Sequence, residues 1–263
     1  MGALVVAGIV LSAILAAMLS PYPPAAQDLL RPYERPSRAH LFGTDGFGRD
    51  VLSRVLWGGR VSLLIGLAAV AIAVALGGSL GLLSGYRGGA FDRCTSMVVE
   101  ILMAFPLILL AIFIVGVFGP SSINTMIAIG AGSVPSFVRV VRAEVLGLRE
   151  RDFIEAARAL GASDRRIVIR HLLPNVLASL VVLATLRIGT AILAESSLSF
   201  LGLGVQIPDS SWGSMVAEGR NLIQRAPWLA LIPGIVIMVT VLAFNLMGDS
   251  LRDAVDPHDA GRA

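Results

Sequence analysis

Three ionisable residues, Glu100, Arg187 and Glu195, fall inside long apolar stretches of a 263-residue chain. A charge placed there costs of order a few kcal/mol unless it is partnered or wet, so each is a candidate for a translocation path. Arg187 and Glu195 are eight residues apart, roughly 80° around a helix of 3.6 residues per turn. They could line adjoining sides of one aqueous path or pair with other helices of a bundle, and both readings stay open.

Other chemistry is thin. All 21 basic residues are arginine. Without lysine there is no side chain to reach the β/γ-phosphates from a P-loop, and no Schiff-base amine. His40, His171 and His258 stand far apart with no i, i+4 partner, so the spacing offers no zinc site and no other metal site. The single cysteine, Cys94, excludes an internal disulfide and reads as a small packing residue at a helix start. The glycine clusters GTDGFGRD (43–50) and LGLG (201–204) do not sit between a strand and a helix, so neither reads as a phosphate cradle. No Gly-x-Ser-x-Gly elbow appears and no histidine neighbours a nucleophile. The chain carries no candidate catalytic residue, and no cofactor is expected in it.

Composition says what must position these residues. Hydrophobic residues make up 56% and charged ones 15%, with a mean hydropathy of +0.81. A soluble protein carries roughly a quarter charged residues, so lipid is the expected solvent. The net charge of +3 gives no support to a nucleic-acid partner. Apolar runs of membrane-crossing length occur at 3–20, 61–84, 96–118, 122–141, 176–199 and 229–248. Backbone groups in lipid must bond internally, so the expectation is an all-α, polytopic membrane protein of about six spans. The first run lacks a basic flank and reads as a span rather than a cleaved signal peptide. Segment 1–60 would hold the first span and an interfacial stretch, 61–248 the membrane core, and 249–263 a tail. Within 49–60, Val51, Leu52, Val55 and Leu56 share a helical face, which suggests a short helix lying on the membrane surface. Gly77, Gly81 and Gly85 make two overlapping G-x-x-x-G units, a surface for close helix approach within this chain or to another. Pro106, Pro135 and Pro233 should kink their spans. If both termini are cytoplasmic, the inner segments hold twelve arginines and the outer ones eight, the bias expected for that orientation.

One charged island interrupts the apolar sequence. Within the loop at about 143–175, Phe153, Ala156, Ala157 and Leu160 recur at helical spacing, with Arg149, Arg151, Asp152 and Arg158 opposite. Gly161 can end that helix at the C′ position. Ser163 can cap a second, and Arg166 at its third position rules out a capping box. Pro174 marks where the fifth span should begin. A short helix, a tight turn and a second helix, with two alanines allowing close approach, have the form of a docking element.

Glu155-Ala156-Ala157, then Gly161, then Leu173-Pro174 resembles the cytoplasmic loop of ABC importer permeases, although His171 stands where that pattern prefers isoleucine. The stretches HLFGTDGFGRDVLSRVLWGGRVSLLIG (40–66), ESSLSFLGLGVQIPDSSWGSMVAEGR (195–220) and FNLMGDSLRDAVDP (244–257) are similar to the dipeptide/oligopeptide/nickel branch of that family. The resemblance implies a bacterial or archaeal cytoplasmic-membrane protein that forms half of an import pathway, with peptides as the default solute. It implies a second homologous permease subunit, two ATP-binding cassette subunits that bind ATP and Mg2+, and an extracytoplasmic substrate-binding protein. Glu155, Ala156, Ala157, Gly161, Leu173 and Pro174 would form the ATPase-coupling contact. Trp212, Glu218 and Arg220, in the outer segment 205–227, would face the binding protein. The rivals are an ion-coupled carrier or channel using Glu100, Arg187 and Glu195, and a membrane scaffold that transports nothing.

Overall fold

The computed structural model describes residues 1–255; His258 and Arg262 lie outside the described residues. Eleven α-helices follow in order: α1 (Gly2–Ile14), α2 (Ala16–Leu19), α3 (Val51–Arg87), α4 (Gly89–Met103), α5 (Leu107–Phe118), α6 (Ser122–Leu148), α7 (Asp152–Ala159), α8 (Asp164–Ile167), α9 (Leu173–Phe200), α10 (Trp212–Gly219) and α11 (Trp228–Val255). The all-α expectation holds among the described residues, where the one β-type pairing is an isolated bridge between Thr44 and Asp50.

Four helices are long and apolar enough to cross a membrane: α3, α6, the continuous helix 164–200 and α11. The expected third span is α4 and α5 bent by 91° at a break around Pro106. Proline there removes a hydrogen bond and disfavours helix in the residue before it, so the chain turns rather than kinks. The first apolar run yields a 13-residue helix, about 20 Å long at 1.5 Å per residue. Six full spans are thus not seen: four are unbroken helices, two of them with a proline inside, a fifth is broken and the first is short.

The expected surface helix at 49–60 is not separate either. Asp50 caps α3 by accepting from the Ser53 N–H at 2.8 Å, and the helix then runs unbroken for 37 residues. Val51 and Val55 are buried in protein rather than in lipid headgroups.

Helix α3 is the axis of the bundle, and its glycines are why. A Cβ at Gly77, Gly81 or Gly85 would lie 2.6 to 2.9 Å from atoms of α6, including the carbonyl oxygens of Val134, Val138 and Arg142. The G-x-x-x-G surface is therefore used inside this chain, letting α3 and α6 run parallel at close range. Gly81→Val is expected to wedge them apart at a cost of about 1–3 kcal/mol, read as a lower unfolding midpoint in detergent. Antiparallel to α3 lies α9, with Ile192 against Gly66 and Leu180 against Gly78. Against α9 lies α11, where Gly189 faces Val241 and Asn245. Leu64, Phe113, Phe118 and Met238 cover the outer surface and are exposed, as lipid-facing groups must be. Cys94 is exposed on α4 and packs no core, contrary to its reading as a packing residue.

Candidate coupling loop and transport-path residues

At the end of the bundle where α3 and α6 finish, α7 and α8 build a helical hairpin. Helix α7 closes through a Schellman motif: Ala162 N–H donates to Ala157 O at 3.0 Å and Gly161 N–H to Arg158 O at 2.9 Å. That geometry requires a left-handed residue at C′, and Gly161 has φ of 79°. Ser163 then caps α8 by accepting weakly from Arg166 N–H at 3.4 Å.

The hairpin has two apolar faces; of the stripe expected from spacing, Phe153, Ala156 and Leu160 lie on the outer one and Ala157 on the inner. Ile154 is 0% exposed and joins Ile167, Leu172 and Val145 in the core, with Ala157 at its edge. Phe153, Ala156 and Leu160 point outward, Leu160 at 89% exposure. Ser163, Arg165, Arg166, Ile169 and Arg170 line a shallow depression of about 270 Å³ beside them. The hairpin thus presents an exposed apolar stripe on α7 and three arginines on and after α8, above a buried foot.

Polar ties fasten the hairpin to α3. Tyr86 Oη donates to Asp164 Oδ1 at 2.6 Å, the Arg158 guanidinium lies over the Tyr86 ring at 5.8 Å, and Arg149 Nη1 donates to Gly85 O at 3.2 Å. Arg142 clamps Asp92 through Nε and through Nη2 at 2.7 Å. The hairpin is thus tied directly to the end of α3, and the neighbouring ends of α4 and α6 are clamped to each other.

The link to α9 is helical, without the break expected at Pro174. Pro174 does not begin a new helix; a π-helical turn at Val168–Leu172 joins α8 to α9, so 164–200 is continuous. Leu173 N–H reaches back to Val168 O. The wide turn accommodates a proline with no N–H to give. Leu173 is half-buried and Pro174 exposed, while Glu155 is exposed on α7.

At the opposite end, segment 21–50 folds over the bundle as a cap. Its centre is Asp45, which accepts from Phe47 N–H at 2.8 Å, Arg49 N–H at 3.0 Å, Arg49 Nε at 2.6 Å and Arg54 Nη1. Arg54 also donates to both oxygens of Glu218, at 2.7 and 2.9 Å. Asp45 and Arg54 are each 3% exposed. The GTDGFGRD cluster, dismissed as a phosphate cradle, is thus the turn that aims Asp45. Gly43 and Gly48 both have positive φ, and a Cβ at Gly48 would overlap the Asp28 carbonyl. Sequence reading missed Asp45 and Arg54; the signal available was the charged cluster G-R-D-V-L-S-R directly before a long apolar run.

Of the residues expected to face outward here, Glu218 and Arg220 remain reachable, with Arg220 over the Phe200 ring at 5.2 Å. Trp212 does not. It is 2% exposed, its indole Nε1 donates to Val55 O at 2.9 Å, and a Cβ at Gly59 would press on its ring at 2.8 Å. Trp212 locks α10 onto α3.

The three intramembrane ionisable residues are not brought together. Glu195 is fully buried, accepting from Ser199 Oγ at 2.7 Å, Ser62 Oγ at 3.1 Å and Ser196 Oγ at 3.4 Å. Ser62 and Ser199 in turn accept from the N–H groups of Trp212 and Val205, so Glu195 is the hub that ties α3, α9 and α10. Glu100 is exposed on α4. Arg187 is half-buried on α9 with no ion pair or side-chain hydrogen bond among the described residues.

Comparisons with known proteins agree with this geometry. Residues 77–258 match the family described as "Binding-protein-dependent transport system inner membrane component". The dipeptide transport system permease protein DppC of Alkalihalophilus pseudofirmus is 47% identical over 256 residues, covering 97% of this chain and 84% of the relative. The glutathione transport system permease protein GsiD of Escherichia coli is 48% identical over 226 residues, covering 86% and 75%. In three dimensions the chain is similar to a subunit of the MetNI methionine ABC transporter in an inward-facing conformation, with a TM-score of 0.65 and 21% identity over 78% of this chain and 97% of that one. An amino acid ABC transporter is also similar, with a TM-score of 0.57 and 17% identity, covering 74% and 90%.

Proposed function

Because the chain belongs to the family of binding-protein-dependent transport system inner membrane components, we infer that it forms half of an ATP-driven import pathway for peptides. It is a multi-pass permease subunit of an ABC importer. The chain itself hydrolyses nothing; ATP and Mg2+ bind to two ATPase subunits, a second related permease completes the path, and a substrate-binding protein delivers the solute. The observation that carries this reading is the uncovered face of the α7–α8 hairpin, Phe153, Ala156 and Leu160 beside Arg165, Arg166 and Arg170. That face receives an ATPase subunit in the cytoplasm, and Glu155, Ala156 and Gly161 set its register, while Ala157 seats α7 against the core. Leu173 and Pro174 pass the motion into α9. With the hairpin inside, the Asp45–Arg54–Glu218 cap lies outside, and Glu218 and Arg220 face the binding protein. Peptides are the solute class because the relative matched along nearly the whole chain is named for dipeptides.

The test is purification of this protein from its own membrane in mild detergent, with mass spectrometry of what accompanies it. Two ATP-binding subunits, a second permease of similar sequence and a binding protein are expected. Recovery of the chain alone, where a reference ABC transporter stays assembled, contradicts the reading and returns attention to an ion-coupled carrier.

A further inference from the structure

Arg187 stands at a depth where a bare cation has no ordinary reason to be. The contacts of Ile192 with Gly66 and Leu180 with Gly78 put it level with Ala71 of α3. Ala71 is sixteen residues from Arg87 and twenty from Val51, about 24 and 30 Å along the axis. A guanidinium cannot snorkel so far, and a charge at mid-membrane is held by a partner or by water in a path. The Arg187 side chain is half-buried and makes no ion pair or side-chain hydrogen bond among the described residues.

Its neighbours indicate the path. Three residues further along α9, and so adjacent on the helix surface, is exposed Thr190; three further again is exposed Leu193. Leu193 lines an apolar groove of about 420 Å³ together with Ile108, Ser197, Phe200, Val216 and Ile237. Ser196 and Ser197 are the polar groups on its wall. Thr190 and Ser197 give their hydroxyl protons to the carbonyls of Arg187 and Leu193, and Ser196 gives its own to Glu195. A fixed cation, then hydroxyl oxygens that can accept a peptide N–H, then an apolar groove is thus complementary to a peptide with one carboxylate and apolar side chains. Guanidinium takes a carboxylate through two parallel hydrogen bonds, which lysine cannot reproduce.

We propose that Arg187 is the carboxylate-recognition residue of the translocation path, holding the free C-terminus of a peptide while its side chains occupy the groove. This rests on the peptide reading given above. The assembled transporter, with its second permease, ATPase subunits and binding protein, is reconstituted in proteoliposomes. The probes are alanyl-phenylalanine and its C-terminal amide, each supplied with binding protein saturated as set by separate titration. The wild type takes up the acid faster than the amide. Arg187→Gln lowers uptake of the acid by about 10- to 100-fold, the range for losing a hydrogen bond to a charged group, and uptake of the amide by much less, so the preference for the acid is lost in an assembled complex. Arg187→Lys falls between. Equal loss for acid and amide, or loss of the second permease from the complex, overturns the assignment and makes Arg187 a subunit-pairing residue. Unchanged uptake of the acid by Arg187→Gln overturns it as well. Uptake of neither probe by the wild type removes the peptide reading itself, and this assignment with it.

Discussion

Gly161→Val is expected to abolish ATP-driven uptake while the protein still inserts and assembles its spans. Gly161 has φ of 79° and open space around it, so a new side chain meets nothing. The whole effect is conformational. An ordinary L-residue there costs about 1–2 kcal/mol, and a β-branched one is a clear outlier. The Schellman closure from Ala162 to Ala157 is relieved by letting the turn open, which swings α8 away from α7. The outer stripe on α7 and the arginines on α8 then no longer form one surface. Ile154 and Ile167 keep the hairpin's foot in the core, so the defect is confined to the contact face. Driving a two-state pore from 1:99 to 99:1 takes about 5.5 kcal/mol of differential contact energy, and a hairpin with mobile halves cannot transmit it. Gly161→Asn, which tolerates the left-handed region, should retain a substantial part of the transport. Uptake per ATP hydrolysed in proteoliposomes, with membrane yield as control, checks the pair.

Arg54→Ala is expected to be the most destabilising single change at the other end. Arg54 and Asp45 are both buried, and the arginine supplies one donor to Asp45 and two to Glu218. Removing one member of a buried ion pair costs about 3–5 kcal/mol because it strands the other. Arg49 still reaches Asp45 at 2.6 Å, so the lower part of that range applies. For a chain of this size the unfolding midpoint should fall on the order of 10 °C. Neutralising the stranded acids, as Arg54→Ala with Asp45→Asn and Glu218→Gln, should recover much of the loss. If the triple variant is no more stable than the single one, packing of the arginine stem, not its charge, holds the cap.

Which parts of this were legible beforehand follows from whether a signal is local. Four of the six apolar runs, the Gly161 turn and the Ser163 cap are written in a few adjacent residues, and each appears where its residues put it. The glycines at 77, 81 and 85 announced a close approach, but nothing local could name α6 as the partner. Spacing on α7 revealed an apolar stripe at Phe153, Ala156 and Leu160. It could not show that Ile154, one residue away, takes the buried side, because α7 carries two apolar faces. The Asp45–Arg54–Glu218 cluster brings Glu218 to residues 164 or more positions earlier, so only the folded chain assembles it. Trp212 read as a surface aromatic for the same reason: Val55 and Gly59, which enclose it, lie more than 150 residues earlier. The continuity of α8 into α9 was hidden by Pro174, whose usual meaning as a helix start is overridden by a π-turn.

The most direct test of the central claim is a crosslink from the hairpin's outer face. Ala156 is exposed and its stripe is uncovered, so Ala156→Cys, in a Cys94→Ser background that removes the native exposed thiol, carries a thiol-directed crosslinker without disturbing the core. The account predicts an adduct with an ATP-binding subunit whose yield changes when ATP is added. An intact, transport-competent complex in which Ala156→Cys forms no adduct with that subunit, in either nucleotide state, would contradict it.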